Sequence, residues 1–150
     1  MKQFIAIAIL IWSSAAAAAG GGGGGGAVNG AHNYYPLTPP FVVNLRDGDR
    51  LRFMQAAIQV MTYDTAVIAA LEKHSAPIRN AILLLLSDQS VSVMHDVKRR
   101  TEIQHEALLA VQEVLDKYAG ISNAGRVEDA EGHSHPSGVQ ELYFTDLVVQ

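Results

Sequence analysis

The stretch Arg50–Tyr63, RLRFMQAAIQVMTY, leaves this chain the fewest ways to fold. Met54, Ala56, Ile58 and Val60 alternate with Gln55, Ala57, Gln59 and Met61. A period of two with mostly polar residues on one parity is the pattern of a strand buried on one face. Leu51 and Phe53 have the opposite parity, which predicts a bulge or a change of face near Phe53. A strand this long needs neighbours on its edges and a cover for its apolar face. Phe41–Leu45 and Val139–Gln150 are the β-rich runs available as neighbours. The D-G pair within Asp47-Gly48-Asp49 predicts a hairpin between Phe41–Leu45 and the long strand. Tyr34-Tyr35-Pro36 and Pro39-Pro40 predict a stiff, extended approach to it.

The cover comes from the block between the strands. Asp64 is a candidate N-cap for a first helix with Val67, Ile68 and Leu71 on one face. Ser75-Ala76-Pro77 opens a second, with proline in its first turn. From Ile78 to Leu86 that helix is apolar nearly all round, which predicts a place at the centre of the core. Ser90 caps a short helix carrying Val93, Met94 and Val97. Thr101-x-x-Gln104 fits a capping box for the longest helix, which runs through Tyr118 and stops at Gly120. Residues 122–138 are polar, Gly-rich and contain a proline, and are expected to form a mobile loop. The fold class expected is α+β, a small mainly antiparallel sheet covered by three or four helices on one face. Ile58, Val60, Ile82, Leu85, Leu108, Val111 and Leu115 are its expected core.

The N-terminus is of another kind. After Met1-Lys2-Gln3, the residues Phe4–Ala19 carry no charge, and seven glycines follow at Gly20–Gly26. Such a segment suits a membrane rather than a core. Phe4–Trp12 has the length of a signal-peptide core and the alanine run offers A-x-A cleavage sites. Read instead as a helical anchor, Phe4–Ala19 rises about 24 Å against a hydrocarbon core of about 30 Å, and the neighbouring uncharged residues close the gap. Under both readings Lys2 places the N-terminus in the cytoplasm and the body of the chain across the membrane. The expected organisation is a membrane anchor or signal peptide at 1–19, a flexible Gly-rich linker at 20–35, and a folded body at 36–150.

Composition excludes several function classes. The net charge of −4 gives no basic footprint for nucleic acid. Without cysteine there is no disulfide framework, thiol nucleophile or cysteine zinc site. Three constellations remain. His133 and His135, with Glu131 nearby, offer two imidazoles to a divalent metal, against the plainer reading of solvated loop histidines. Glu102 and His105 stand one helical turn apart, half of a di-iron motif whose second copy is missing. Ser87, Asp88 and His95 have triad residue types but no nucleophile elbow around the serine. No Gly-rich loop joins a strand to a helix, so no phosphate cradle is expected. The expected site is therefore catalytic none, metal none and cofactor none. A cleaved periplasmic module binding metal weakly through His133 and His135 is the alternative reading.

Three runs together carry a resemblance. They are Pro39-Pro40-Phe41-Val42-Val43-Asn44-Leu45, then His74-Ser75-Ala76-Pro77-Ile78-Arg79-Asn80-Ala81-Ile82-Leu83-Leu84-Leu85-Leu86-Ser87, and the terminal Phe144-Thr145-Asp146-Leu147-Val148-Val149-Gln150. Their order, spacing and closing glutamine resemble the flagellar basal-body-associated protein FliL family over most of Tyr35–Gln150. Val97-Lys98-Arg99-Arg100-Thr101 departs from the Gly-Lys and Leu-Arg pattern usual there. The resemblance implies a single-pass inner-membrane protein anchored through Phe4–Ala19, with a periplasmic domain similar to the stomatin-type (SPFH) fold. It implies no enzymatic activity and no cofactor. The partners it implies are flagellar stator and basal-body proteins and further copies of the chain in a ring, with an effect on rotation, swimming or swarming.

Overall fold

A computed structural model of the protein describes residues 26–150; the expected membrane segment Phe4–Ala19 and most of the glycine run lie outside the described residues. The predicted long strand is β3 (Arg50–Thr62), and every other strand of the main sheet pairs with it antiparallel. β2 (Phe41–Asp47) returns through the predicted Asp-Gly turn and pairs from Asp47↔Arg50 to Phe41↔Ala56. β1 (Asn33–Pro36) pairs from Asn33↔Thr62 to Pro36↔Gln59. The last strand of this sheet, Glu141–Val149, pairs with Met54–Met61. Because Met54–Ala56 and Gln59–Met61 face that last strand as well as β2 and β1 respectively, β1 and β2 must share the opposite edge of β3.

Met54, Ala56, Ile58 and Val60 are all buried, so the predicted register holds. The predicted irregularity near Phe53 is absent: β2 pairs without a break past Asn44↔Phe53, and Leu51 and Phe53 are 68% and 59% exposed on the outer face. Alternation there was never interrupted; the outer face simply carries apolar side chains. The real register shift lies between Ala57 and Ile58, where Thr145 of the terminal strand is the extra residue. The folded body also starts earlier than the expected boundary at residue 36. The Asn33 side chain accepts from Val28 N and donates to the carbonyls of Val28, Ala31 and Thr62, and residues 33–35 are strand rather than linker.

Among the described residues, four helices cover one face. α1 (Thr65–Lys73) is capped by Asp64, whose carboxylate accepts from Ala66 N at 2.8 Å. α2 (Ser75–Ser87) buries Ile78, Ile82 and Leu86, one stripe at i, i+4, i+8. It does not run through the centre of the core: Leu84 is 66% exposed and Leu83 and Leu85 are half-buried. The expectation of Leu85 in the core is thus corrected to Leu86, because a helix on a sheet has one inward face however apolar the others are. Arg79 fixes α2 to the β1–β2 bend, donating to Pro39 O at 2.6 Å with its guanidinium 4.2 Å over the Phe41 ring.

α3 (Val91–His95) is capped by Ser90 as predicted. α4 (Val97–Ala119) begins a turn before the predicted capping box. Its N-cap is Asp96, accepting from Arg99 N at 3.0 Å, while Thr101 donates back to Val97 O within the helix. Ile103, Ala107, Val111 and Leu115 are buried, whereas Leu108 is only half-buried, one position off the stripe. Gly120 ends α4 at φ 67°, as its sequence position predicts. Within 122–138, read as a loop, stands a second small sheet: β4 (Arg126–Glu128) pairs antiparallel with β5 (Ser134–Pro136). The terminal strand is therefore β6. Among the described residues no helix is long and apolar enough to cross a membrane.

Candidate functional site

The three sequence constellations fare differently. Ser87 ends α2, Asp88 is its exposed C-cap, and His95 is the last residue of α3; no hydrogen bond joins them. His95 borders an open cleft with Arg100, Leu147 and Val149 instead. Glu102 is paired with Arg99 on the surface of α4. His105 lines a shallow cleft with Thr101, Gln104 and Leu108 against Gln140–Leu142. Neither arrangement joins a nucleophile to a base, and the second carboxylate bordering the His105 cleft, Glu141, accepts from the Tyr143 hydroxyl.

His133 and His135 are brought together, and by a residue the sequence reading passed over. Asp129, at the end of β4, accepts from the backbone N–H of Glu131 and of His133 through Oδ1, at 3.0 and 2.7 Å. These two amides orient the carboxylate, and its other oxygen lies 3.1 Å from both His133 Nδ1 and His135 Nε2. Burial works to raise the Asp129 pKa. The His133 amide and the two imidazoles outweigh it and hold the carboxyl at about 2. The His135 ring stacks on Tyr63 at 4.8 Å, and the Tyr63 hydroxyl meets His32 Nε2 at 3.1 Å. Among the described residues, no three His, Asp or Glu side chains are placed to hold a metal ion. Glu131 contributes its backbone amide, not its carboxylate. An aspartate four and six residues before two closely spaced histidines, with Gly132 between, is the available signal: Asx-type turns place such a carboxylate over the following amides.

Among the described residues, two apolar surfaces remain uncovered. On the outer face of the sheet Val42, Phe53 and Val148 border one cleft, with Leu51 beside them, and all four are exposed. On the outer side of the helix layer, α2 and α4 leave a cleft of about 250 Å³ lined by Pro77, Ala81, Leu84, Ala110, Val114 and Tyr118. Single exposed apolar residues need no explanation, but contiguous ones rimmed by polar groups mark contact surfaces. Both are surfaces on which a partner could pack.

The family model described as flagellar basal body-associated protein FliL matches residues 34–150. A protein of Aquifex aeolicus (strain VF5) named flagellar protein FliL is 26% identical over 116 residues. The match takes in 77% of this chain and 60% of that relative's length.

Proposed function

The chain belongs to the flagellar basal body-associated FliL family, and on that premise we propose that it is a non-enzymatic, membrane-anchored accessory protein of the flagellar motor. It associates with stator units and supports or modulates rotation, swimming or swarming. Residues 1–19 serve as the anchor, the glycine run as a tether, and the folded body lies in the periplasm with an architecture of the stomatin type. A Gly-rich tether of about eleven residues reaches roughly 17–20 Å, which confines the domain beside its membrane neighbours and raises their effective concentration.

The observation that carries the reading, beyond the family, is the pair of uncovered apolar surfaces. They lie on opposite sides, one on the bare sheet face and one on the outer side of the helix layer. A copy presenting two different surfaces assembles head to tail, and such contacts close into a ring when the rotation allows. The test is a pull-down from detergent-solubilised motile cells, together with cross-linking of Phe53→Asp and Leu84→Asp variants. Recovery of stator or basal-body components, and loss of cross-linked assembly in either variant at unchanged melting temperature, are expected. A pull-down without any such component overturns the proposal. The mass of the mature protein tests the anchor separately: a start near Gly20 or Ala27 refutes retention.

A further inference from the structure

Half of the six histidines, His32, His133 and His135, gather at the end of the sheet where the chain enters from its N-terminus. Asp129 is the hub. On one side it meets both hairpin imidazoles; on the other it packs against the backbone of Gly30. A Cβ on Gly30 would stand 2.2 Å from Asp129 Cβ and 2.8 Å from its Cα, so only glycine, here at φ +80°, admits this approach. Gly30 N donates to Tyr63 O at 2.8 Å, and Tyr63 carries His135 on its ring and His32 on its hydroxyl. The tip of the β4–β5 hairpin and the incoming segment 28–32 are therefore packed on the same two residues, Asp129 and Tyr63.

We propose that Asp129, His133 and His135 form a proton-operated clamp, which tightens the β4–β5 hairpin against the incoming N-terminal segment as the medium becomes more acidic. Histidine is the side chain whose charge ordinarily changes between about pH 5 and 8. A neutral imidazole donates to the ionised Asp129 carboxylate as a dipole; a protonated one adds a full opposite charge at the same 3.1 Å and turns the hydrogen bond into an ion pair. Protonated His135 also places a cation on the face of Tyr63. Repulsion between the two imidazoliums is limited, because the carboxylate oxygen stands between them and the His133 side chain is 74% exposed to screening solvent. Asp129 stays ionised throughout, since its carboxyl is held at about 2. The other charged groups around the clamp are Arg126, Glu128 and Glu131, exposed on the hairpin, and Asp64, occupied by the Ser137 hydroxyl at 2.6 Å. His32 touches Tyr63, not Asp129. The clamp is thus tight where the imidazoles are charged and looser where they are neutral. It does not depend on the function proposed above.

Amide hydrogen exchange of the full chain in detergent, corrected for intrinsic rates, reads the clamp at pH 5.5 and 8. Exposed charge pairs change an opening equilibrium by up to about fivefold each, so protection at Glu131–His133 should be roughly two- to tenfold higher at pH 5.5. Gly30 should follow in parallel. The His133→Gln/His135→Gln double variant keeps donors but cannot charge, and should lose the difference while keeping the pH 8 protection; Asp129→Asn should lose it too. Equal protection at both pH values in the unmodified protein overturns the proposal, as does a pH difference that survives in the double variant. A hairpin response with none at Gly30 overturns the coupling to the N-terminal segment.

Discussion

Leu84, Leu85 and Leu86 follow one another on α2 in three different environments, so truncating each to alanine tests the placement of that helix. Leu86 is fully buried among the core residues, Leu85 is half-buried, and Leu84 is 66% exposed. For Leu86→Ala, three carbon groups at about 0.8 kcal/mol each give about 2.4 kcal/mol of lost transfer energy. A residual cavity of order 60 Å³ at about 24 cal/mol per Å³ adds about 1.5, for a total of about 4 kcal/mol. Leu85→Ala should cost about half that, because part of its surface is already in water. Leu84→Ala should fall within about 0.5 kcal/mol of zero, as for other exposed sites. Urea unfolding at constant m-value measures all three. A cost for Leu84 or Leu85 at or above that for Leu86 would refute the assignment of the inward stripe.

Asp96→Ala removes the observed cap of α4 and should cost about 0.5–2 kcal/mol, whereas Thr101→Ala should be close to neutral; denaturation of the pair separates the two candidate helix starts. Gly30→Ala should destabilise by more than Gly132→Ala, because both glycines have positive φ but only Gly30 also meets Asp129; thermal melts of both variants check the order. Asp129, whose folded pKa lies below the unfolded value of about 3.9, contributes stability that is present above that value and is lost as pH falls through about 2. Acid unfolding of Asp129→Asn should therefore lose part of the slope between about pH 4 and 2, and an unchanged slope would remove Asp129 from the account. Gln112 ties α4 to the approach of β6, donating to Ile121 O at 2.8 Å and accepting from Val139 N at 3.0 Å. Gln112→Leu should cost about 1–3 kcal/mol, measured by urea unfolding, by leaving both backbone groups without these partners.

Local chemistry decided much of this protein by sequence alone. Alternation from Met54 to Val60, the Asp-Gly turn, the caps at Asp64 and Ser90, and the stop at Gly120 all act within a few residues, so the α+β class and the buried face of β3 could be read directly. The three runs that resemble the FliL family are equally legible, being fixed in order and spacing along the chain. Tertiary structure decided what depends on a partner distant in sequence. Which face of the uniformly apolar α2 turns inward is set by the sheet it meets, so Leu86 rather than Leu85 is core. Leu51 and Phe53 lie on the outer parity of β3 with no bulge, because the pairing with β2 runs unbroken past them and the described helices all pack on the other face. The start of α4 passed from Thr101 to Asp96, where competing caps leave composition unable to choose. The clustering of His133 and His135 on Asp129 is local to one hairpin and carries an Asx-turn signal, whereas the pressing of Gly30 onto Asp129 arises only when the hairpin folds back on residues about a hundred positions earlier in the chain, a closure whose entropy no local pattern reports.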